Sequence, residues 1–262
     1  MPAGRPAAQA ASEAMRDQAG RGGLGTVRNA IRLLDLLAEG PAFQQLTDLA
    51  ERSGMSLPTV HRLLRSLVVA DLVVQDTRSS RYALGPELTR LSHHYLSRLP
   101  LLGAVAPYVT QLRDDLGQSI SVQTLVRGEV VTVDRIDGPD SGLYRETHRV
   151  VPALSCAAGR LLAARADDDH WALALAAAGS AAIGQDLAAR RAEWAGAERL
   201  ALGPAHAGGP GEVAVPVIDG HGVAVAALAA AVADPADERA VADSAAHLDR
   251  AARAAGRTLG HG

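Results

Sequence analysis

The sequence predicts a two-part mixed α/β (α+β) fold, in which a small helical segment with a hairpin precedes a larger domain built around an antiparallel sheet. Three observations support this fold class. Apolar residues recur at helical spacing from Val27 to Val68, and two short β-like runs follow. Beyond Gly117, β-branched runs and turn residues predict strands and hairpins with helical stretches between them. The last helical pattern extends from about Pro235 to Arg257.

Composition restricts the class of protein. The chain has 262 residues, 48% of them hydrophobic and 21% charged, and a net charge of −3, which is typical of a folded protein. No apolar run is long enough for a membrane helix and no signal-peptide core is present, so we expect a cytoplasmic protein without a membrane partner. Cys156 is the single cysteine, which excludes an intramolecular disulfide and a cysteine-based zinc site. We expect neither a metal nor a cofactor.

Three helices are predicted in the first part of the chain. Thr26 is the expected N-cap of the first helix, and Gly40 is the expected stop. The second helix covers residues 46–53 and ends at Gly54, whose flexible backbone suits a helix C-terminus. The third begins after Ser56, a good N-cap residue.

Two β-like runs at residues 72–75 and 81–84 surround a polar loop and predict a hairpin. The order helix, helix, tight turn, helix and hairpin is that of a winged helix-turn-helix, a fold that places one helix in the major groove of DNA. Residues 1–25 predict a disordered arm, either a plain solvated tail or one that contacts a nucleic acid backbone. The predicted domains are this arm, the winged helix-turn-helix at 26–85, a linker helix at 86–99 and a C-terminal domain at 100–262.

The third helix combines an apolar stripe with a polar face. Thr59 and Arg62 share a side at i,i+3 spacing, and His61 and Arg65 share one at i,i+4. Arg binds guanine O6 and N7, and Thr contacts a thymine methyl or a phosphate. A solvated helix face is the alternative, but the short helix before it and the hairpin after it favour DNA binding. The predicted DNA-binding residues are Arg28, Ser56, Thr59, His61, Arg62, Arg65, Arg78, Ser79 and Ser80.

Several stretches resemble the IclR-type transcriptional regulators. Residues 49–64, with Thr59-Val-His-Arg62, and residues 82–85 (Tyr-Ala-Leu-Gly) resemble that family's two reader helices and the end of its wing. Residues 152–163 and 213–231 resemble the entry to its first effector-domain helix and its closing hairpin. The resemblance implies a GAF-like effector-binding domain, homodimers or dimers of dimers on palindromic double-stranded operator DNA, and a repressor whose DNA binding a small-molecule effector alters.

The resemblance places a ligand pocket between the sheet and its covering helices. Ser155, Cys156 and Ala157 stand at a predicted helix N-terminus, whose N–H groups suit a ligand carboxylate unless they belong to an ordinary N-cap. Because the hairpin positions are apolar, the expected effector is more apolar than a small dicarboxylate, such as an apolar or aromatic acid. The predicted effector-binding residues are Leu125, Val133, Tyr144, Leu154, Ser155, Cys156, Ala157, Val213, Ala214 and Ala227.

Two departures from the family pattern affect these expectations. Leu57-Pro58 stands where the family often has a Lys-Ser step in the recognition turn, so the operator preference of the family does not carry over. The segment at 199–210 replaces an acidic, glycine-bearing one, and polar ligand contacts from it are not expected.

An alternative function is a metabolite-binding or hydrolytic protein whose helix-turn-helix serves protein contacts only. Cys156 is its candidate nucleophile, with His148 or His170 as the base. A lone buried cysteine is usually a small apolar residue, and the chain lacks the G-x-S-x-G, Walker A and G-x-G-x-x-G motifs. The main prediction is therefore a regulator without enzymatic activity.

Overall fold

The computed structural model describes residues 24–139, 150–179, 186–203 and 210–260. Contacts divide the chain into two compact units, Met1–Tyr95 and Leu96–Gly262. The division falls inside the helix predicted as a linker. Within the described ranges, no helix is both long and apolar enough to cross a membrane.

The N-terminal unit has the predicted order of helices and hairpin. Gly54 ends the second helix in the left-handed conformation, with φ of 71°, and Ser56 precedes the third. One boundary differs, because Leu24 and Gly25 are already helical, so Thr26 lies inside the helix and is not its N-cap. The elements are α1 (Leu24–Glu39), α2 (Leu46–Ser53), α3 (Leu57–Val69), β1 (Val73–Gln75), β2 (Tyr82–Leu84) and α4 (Glu87–Ser97). Strands β1 and β2 pair antiparallel.

The core of this unit forms where α1, α2, α3 and the hairpin meet. Leu33, Leu49, Val60, Leu64 and Val73 are completely or almost completely buried together. Each comes from a different turn or element, and their spacing places them on the inward side of their helices. The apolar stripe of α3 therefore faces the core and leaves the opposite side of that helix to solvent.

A buried glutamine joins α1, α2 and β2. Gln44 is 4% exposed, and its Nε2 donates to the carbonyls of Leu36 (2.9 Å) and Leu37 (3.3 Å) in the last turn of α1, where carbonyls lack helical partners. Its Oε1 accepts from Arg52 of α2 at 2.7 Å. Its backbone pairs in both directions with Tyr82 of β2. Gln44 therefore fixes the end of α1 against the other two elements.

The C-terminal unit contains a six-stranded antiparallel sheet in the order β5-β4-β3-β8-β7-β6. The two central hairpins follow the sequence prediction, whereas the three-residue edge strands β5 and β6 were not predicted. Its helices are α5 (Pro100–Leu116), α6 (Ala157–Arg165), α7 (Asp168–Ala178), α8 (Leu187–Gly196) and α9 (Glu238–Leu259). Its strands are β3 (Ile120–Val126), β4 (Glu129–Ile136), β5 (Val150–Pro152), β6 (Leu200–Leu202), β7 (Gly211–Ile218) and β8 (Ala224–Val232).

Helices cover both faces of this sheet. Val213, Val215 and Val217 of β7 pack in the same cluster as residues of α5 and α9, whereas Ala214 packs with α6. This alternation follows from the two-residue period of a strand. Gly159 lets α6 approach the preceding turn, because a Cβ at this position would lie 2.1 Å from the carbonyl oxygen of Ala153.

Replacing Gln44 by Ala is expected to reduce the free energy of unfolding by about 1–3 kcal/mol, because the carbonyl of Leu37 loses its buried hydrogen bond and the carbonyl of Leu36 keeps only the one from Arg52. Urea unfolding followed by circular dichroism measures this loss. The neighbouring Gln45→Ala is the matched control, since Gln45 is exposed and its side chain makes no capping bond. Equal effects of the two substitutions would contradict the role assigned to Gln44.

Candidate functional site

The exposed side of α3 carries the polar residues that the sequence singles out. His61, Arg62 and Arg65 are exposed, and Thr59 is half-buried. The opposite side, with Val60 and its neighbours, is in the core. The helix therefore presents cations and hydrogen-bond donors along one side while the other side fixes its position.

The first turn of α3 is ordered by a hydroxyl pair. Ser56 Oγ and Thr59 Oγ1 lie 2.8 Å apart, and Ser56 makes no side-chain bond to the helix backbone. In the turn before it, Ser53 Oγ donates to the carbonyl of Ala50 and accepts from the N–H of Met55. These contacts set the path of the chain between α2 and α3.

The tip of the hairpin is organised by Asp76. Its carboxylate accepts hydrogen bonds from Ser79 Oγ, from the N–H of Ser79 (3.0 Å) and from the N–H of Arg78 (3.3 Å). The Ser79 hydroxyl, followed by these backbone bonds, holds the pKa of Asp76 below its ordinary value. Ser79 is thus a structural residue of the turn, while Arg78 and Ser80 remain exposed beside it.

Four predicted DNA-binding arginines have exposed side chains. Arg28 lies on α1, Arg62 and Arg65 lie on α3, and Arg78 lies on the hairpin tip. Within the described ranges, none of them forms an ion pair with an acidic side chain. Guanidinium groups without carboxylate partners are suited to bind phosphates and guanine edges.

The predicted effector-binding residues lie on two different faces of the C-terminal sheet. Leu125, Leu154, Cys156, Ala157, Ala214 and Ala227 belong to the clusters that include α6. Val133 and Val213 instead pack in the cluster that includes α5 and α9. The predicted set is therefore divided between the two faces, and a single pocket on the α6 face would not include Val133 and Val213. Tyr144 and the candidate base His148 lie outside the described residues.

The N-terminus of α6 already holds a carboxylate from the same chain. Glu212 Oε2, on β7, accepts from the N–H groups of Ala157 (2.7 Å) and Ala158 (3.4 Å). Its Oε1 accepts from Nε2 of Gln123 on β3 (2.7 Å). The N–H groups predicted to receive a ligand carboxylate are therefore hydrogen-bonded to Glu212.

Ser155 and Cys156 also have structural partners. Ser155 Oγ donates to the carbonyl of Pro152 at 2.7 Å, and Ser155 ends a short 3₁₀ turn rather than beginning α6. Cys156 is buried and is the N-cap of α6, where its Sγ accepts from the N–H of Gly159 at 3.3 Å. His170, the other candidate base of the hydrolytic alternative, is bonded to Asp167 at 2.6 Å.

A surface cleft of about 570 Å³ opens between the end of β7 and α9. None of the predicted effector contacts in the described part of the chain lines it. Two of its cations are already bound, since Arg165 donates to backbone carbonyls and Arg253 pairs with Asp249 at 2.7 Å. This cleft is therefore distinct from the predicted ligand site.

Comparison with known proteins agrees with this arrangement. The IclR helix-turn-helix domain model matches residues 26–77, and the model for the C-terminal part of the bacterial transcriptional regulator IclR matches residues 93–188. Together they cover more than half of the chain. The chain belongs to the IclR family of bacterial transcriptional regulators.

Relatives in this family match part of the chain. The glycerol operon regulatory protein of Streptomyces coelicolor is 33% identical over 140 residues, 53% of this chain and 55% of that protein. The regulator XynR of Escherichia coli is 26% identical over 140 residues, 53% of this chain and 56% of that protein. The matched stretches thus span little more than half the length of these relatives.

A solved IclR-family structure matches over most of its length. The crystal structure of an IclR transcriptional regulator from Silicibacter sp. TM1040 is 26% identical, with a TM-score of 0.71. The match covers 88% of this chain and 96% of that one. The two-part architecture of this chain is therefore that of an IclR-family regulator.

The Leu57-Pro58 departure from the IclR pattern lies in the first turn of α3. Both residues are exposed. Neither side chain carries a hydrogen-bond donor, and Pro58 also lacks a backbone N–H. The hydroxyl groups at this turn are therefore those of the neighbouring Ser56 and Thr59.

Sequence reasoning missed Glu212 and Gln123 as a pair on the α6 face. A signal was present, because Glu212 is the one charged residue in the otherwise apolar run of β7. Its partners lie on β3 and at the start of α6, 89 and 55 residues away in sequence. That separation hides the pair from a motif search.

Replacing Ser79 by Ala is expected to raise the pKa of Asp76 toward its ordinary value, because the largest contribution that lowers it is removed. A lowered pKa means that the ionised carboxylate stabilises the turn, and this stabilisation is lost as the pH falls through that pKa. The substitution therefore moves the loss of this stabilisation to higher pH. A pH titration followed by carboxyl ¹³C NMR measures the pKa of Asp76, and Ser80→Ala is the control that should leave this pKa unchanged.

Proposed function

We propose that this IclR-family chain is a cytoplasmic transcriptional repressor that binds palindromic operator DNA as a homodimer or dimer of dimers. Its DNA binding would respond to a small-molecule effector in the C-terminal unit. The observation that carries the proposal is the exposed row of His61, Arg62 and Arg65 on a helix whose other side is buried in the core.

In the proposed complex, α3 contacts the bases of DNA, whereas α1 and the hairpin tip contact its phosphates. Arg62 and Arg65 on α3 contact base edges in the major groove, where arginine discriminates guanine. Arg78 at the hairpin tip and Arg28 on α1 contact phosphates, which position the protein without reading sequence. Ser79 supports the hairpin tip through Asp76.

Binding of a palindromic site requires two copies of the reader, and α4 offers a surface for a second copy of this chain. None of its residues is buried, and Leu91 and Tyr95, one turn apart on the same side, are 46% and 63% exposed. Large apolar side chains at helical spacing are typical of a helix that packs against a partner. We propose that α4 pairs with its counterpart in the dimer.

The effector is proposed to act by linkage between the two units. A molecule that weakens operator binding must itself bind less tightly in the presence of operator, by the same factor. The apolar residues on the α6 face, including Leu125 and Leu154, favour an effector with a substantial apolar part. Release of DNA by the effector would make the protein a repressor that is relieved by its ligand.

Replacing Arg62 by Ala is expected to weaken specific binding by about 1–3 kcal/mol, or about 5- to 150-fold in Kd, if Arg62 contacts a base. A gel-shift titration measures this on the DNA upstream of the protein's own coding region and its neighbours, at two salt concentrations with excess competitor. Arg253→Ala, which removes the same charge from the C-terminal unit, is the matched control. An unchanged Kd would remove Arg62 from the base contacts. Absence of a competitor-resistant shift with the wild-type chain would contradict the proposed function.

Replacing Leu91 by Asp is expected to reduce the oligomer to a smaller species, because a charge would be buried in the proposed α4 pairing. Light scattering coupled to size-exclusion chromatography gives the mass directly. His93→Asp is the matched control, since His93 lies two residues from both Leu91 and Tyr95 and hence about 200° around the helix. If both variants keep the wild-type mass, the subunits do not pair through this side of α4.

A further inference from the structure

The carboxylate of Glu212 lies where an anion bound to α6 would lie. The N-terminus of a helix attracts negative charge through its unpaired N–H groups and its dipole. At α6, the N–H groups of Ala157 and Ala158 belong to residues that are completely buried, and both donate to Glu212 Oε2. The N–H groups at the start of α6 are therefore hydrogen-bonded within the protein itself.

Gln123 fixes the other oxygen of the carboxylate. Its Nε2 donates to Glu212 Oε1 at 2.7 Å and to Ser121 Oγ at 2.9 Å, which uses both amide hydrogens. Gln123 is itself buried. An amide carries no charge, and within the described ranges no cationic side chain forms an ion pair with Glu212. In the described part of the chain, the carboxylate is thus held by hydrogen bonds from uncharged donors.

We propose that Glu212 is a specificity-determining residue that excludes a carboxylate group of the effector from the N-terminus of α6. A second carboxylate would meet a like charge at close range and would find both N–H donors already bonded. A ligand with an O–H or N–H group instead meets a carboxylate that accepts three hydrogen bonds out of about four positions. The existence of an effector rests on the proposed function, whereas the occupancy of this helix end by Glu212 does not.

This assignment narrows the effector predicted from the sequence. The sequence predicts an apolar or aromatic acid and places its acid group at the N–H groups of this helix end. The apolar residues on the α6 face still support an effector that is largely apolar. An acid group of the effector is not expected at the N-terminus of α6, because the carboxylate of Glu212 from β7 already lies there.

Chemical rescue of Glu212→Ala tests the proposal with the full-length chain. This substitution removes the atoms of an acetate ion and leaves the N–H groups of Ala157 and Ala158 without their acceptor. We expect the melting temperature to fall by about 5 °C or more, since a charged hydrogen-bonded group is lost. Acetate should restore at least half of that loss, and acetamide, which has the same shape without the charge, should restore little. Sodium chloride at equal concentration corrects for ionic strength.

The wild-type chain supplies the second arm of the test. Acetate and benzoate should leave its melting temperature unchanged, and the amide NMR resonances of Ala157 and Ala158 should not move. In Glu212→Ala, acetate should shift both resonances. Glu129→Ala, which removes an exposed glutamate from the neighbouring hairpin, should show neither the loss of stability nor the rescue.

Three results would overturn the proposal. Acetate or benzoate could shift the wild-type resonances as strongly as those of Glu212→Ala, or Glu212→Ala could keep the wild-type melting temperature and ignore acetate. If Glu212→Ala does not fold with or without acetate, Glu212→Gln keeps the shape and removes the charge. A wild-type melting temperature for Glu212→Gln would then show that the charge is dispensable.

These measurements separate the proposal from the proposed function. The rescue and the resonance shifts involve no DNA, so a failed gel shift leaves their outcome intact. Operator binding without acetate rescue would instead retain the regulator and reject the assignment of Glu212.

Discussion

The need to satisfy buried helix ends shapes both units of this protein. A helix leaves unpaired carbonyls at its C-terminus and unpaired N–H groups at its N-terminus, and burying them without partners costs about 1–3 kcal/mol each. In the N-terminal unit, Gln44 supplies donors to the last turn of α1. In the C-terminal unit, Glu212 supplies an acceptor to the first turn of α6. In each case a side chain from another element closes the helix and thereby fixes how the elements pack.

Local patterns in the sequence were sufficient for most of the N-terminal unit. The spacing of apolar residues on α3 decides which side is buried, and Gly54 and Ser56 mark the turn before it. These signals act within a few residues, so a single sequence reveals them. Thr26 is the exception, because the helix already includes the residues before it and a threonine is tolerated inside a helix.

The effector-binding face was harder to predict because it depends on strand register and on distant partners. Val213 and Ala214 are neighbours on one strand and must point to opposite faces. The register of β3 against β4 shifts at Val133, because Val122 pairs with Asp134 whereas the next residue, Gln123, pairs with Thr132. No local pattern shows which face such a residue takes. The contact of Glu212 with α6 depends on how β7, β3 and α6 pack in the folded unit.

The bonds of Glu212 also constrain how any effector can use the α6 face. A ligand that displaced the carboxylate would have to replace its bonds to the Ala157 N–H and to Gln123, or leave buried donors unpaired. An acid group replaces those bonds but must first expel a like charge, and a neutral ligand replaces them poorly. Binding beside Glu212, with the carboxylate kept in place as an acceptor, avoids both costs. For the proposed effector, this geometry therefore favours addition to the hydrogen-bond network over replacement of Glu212.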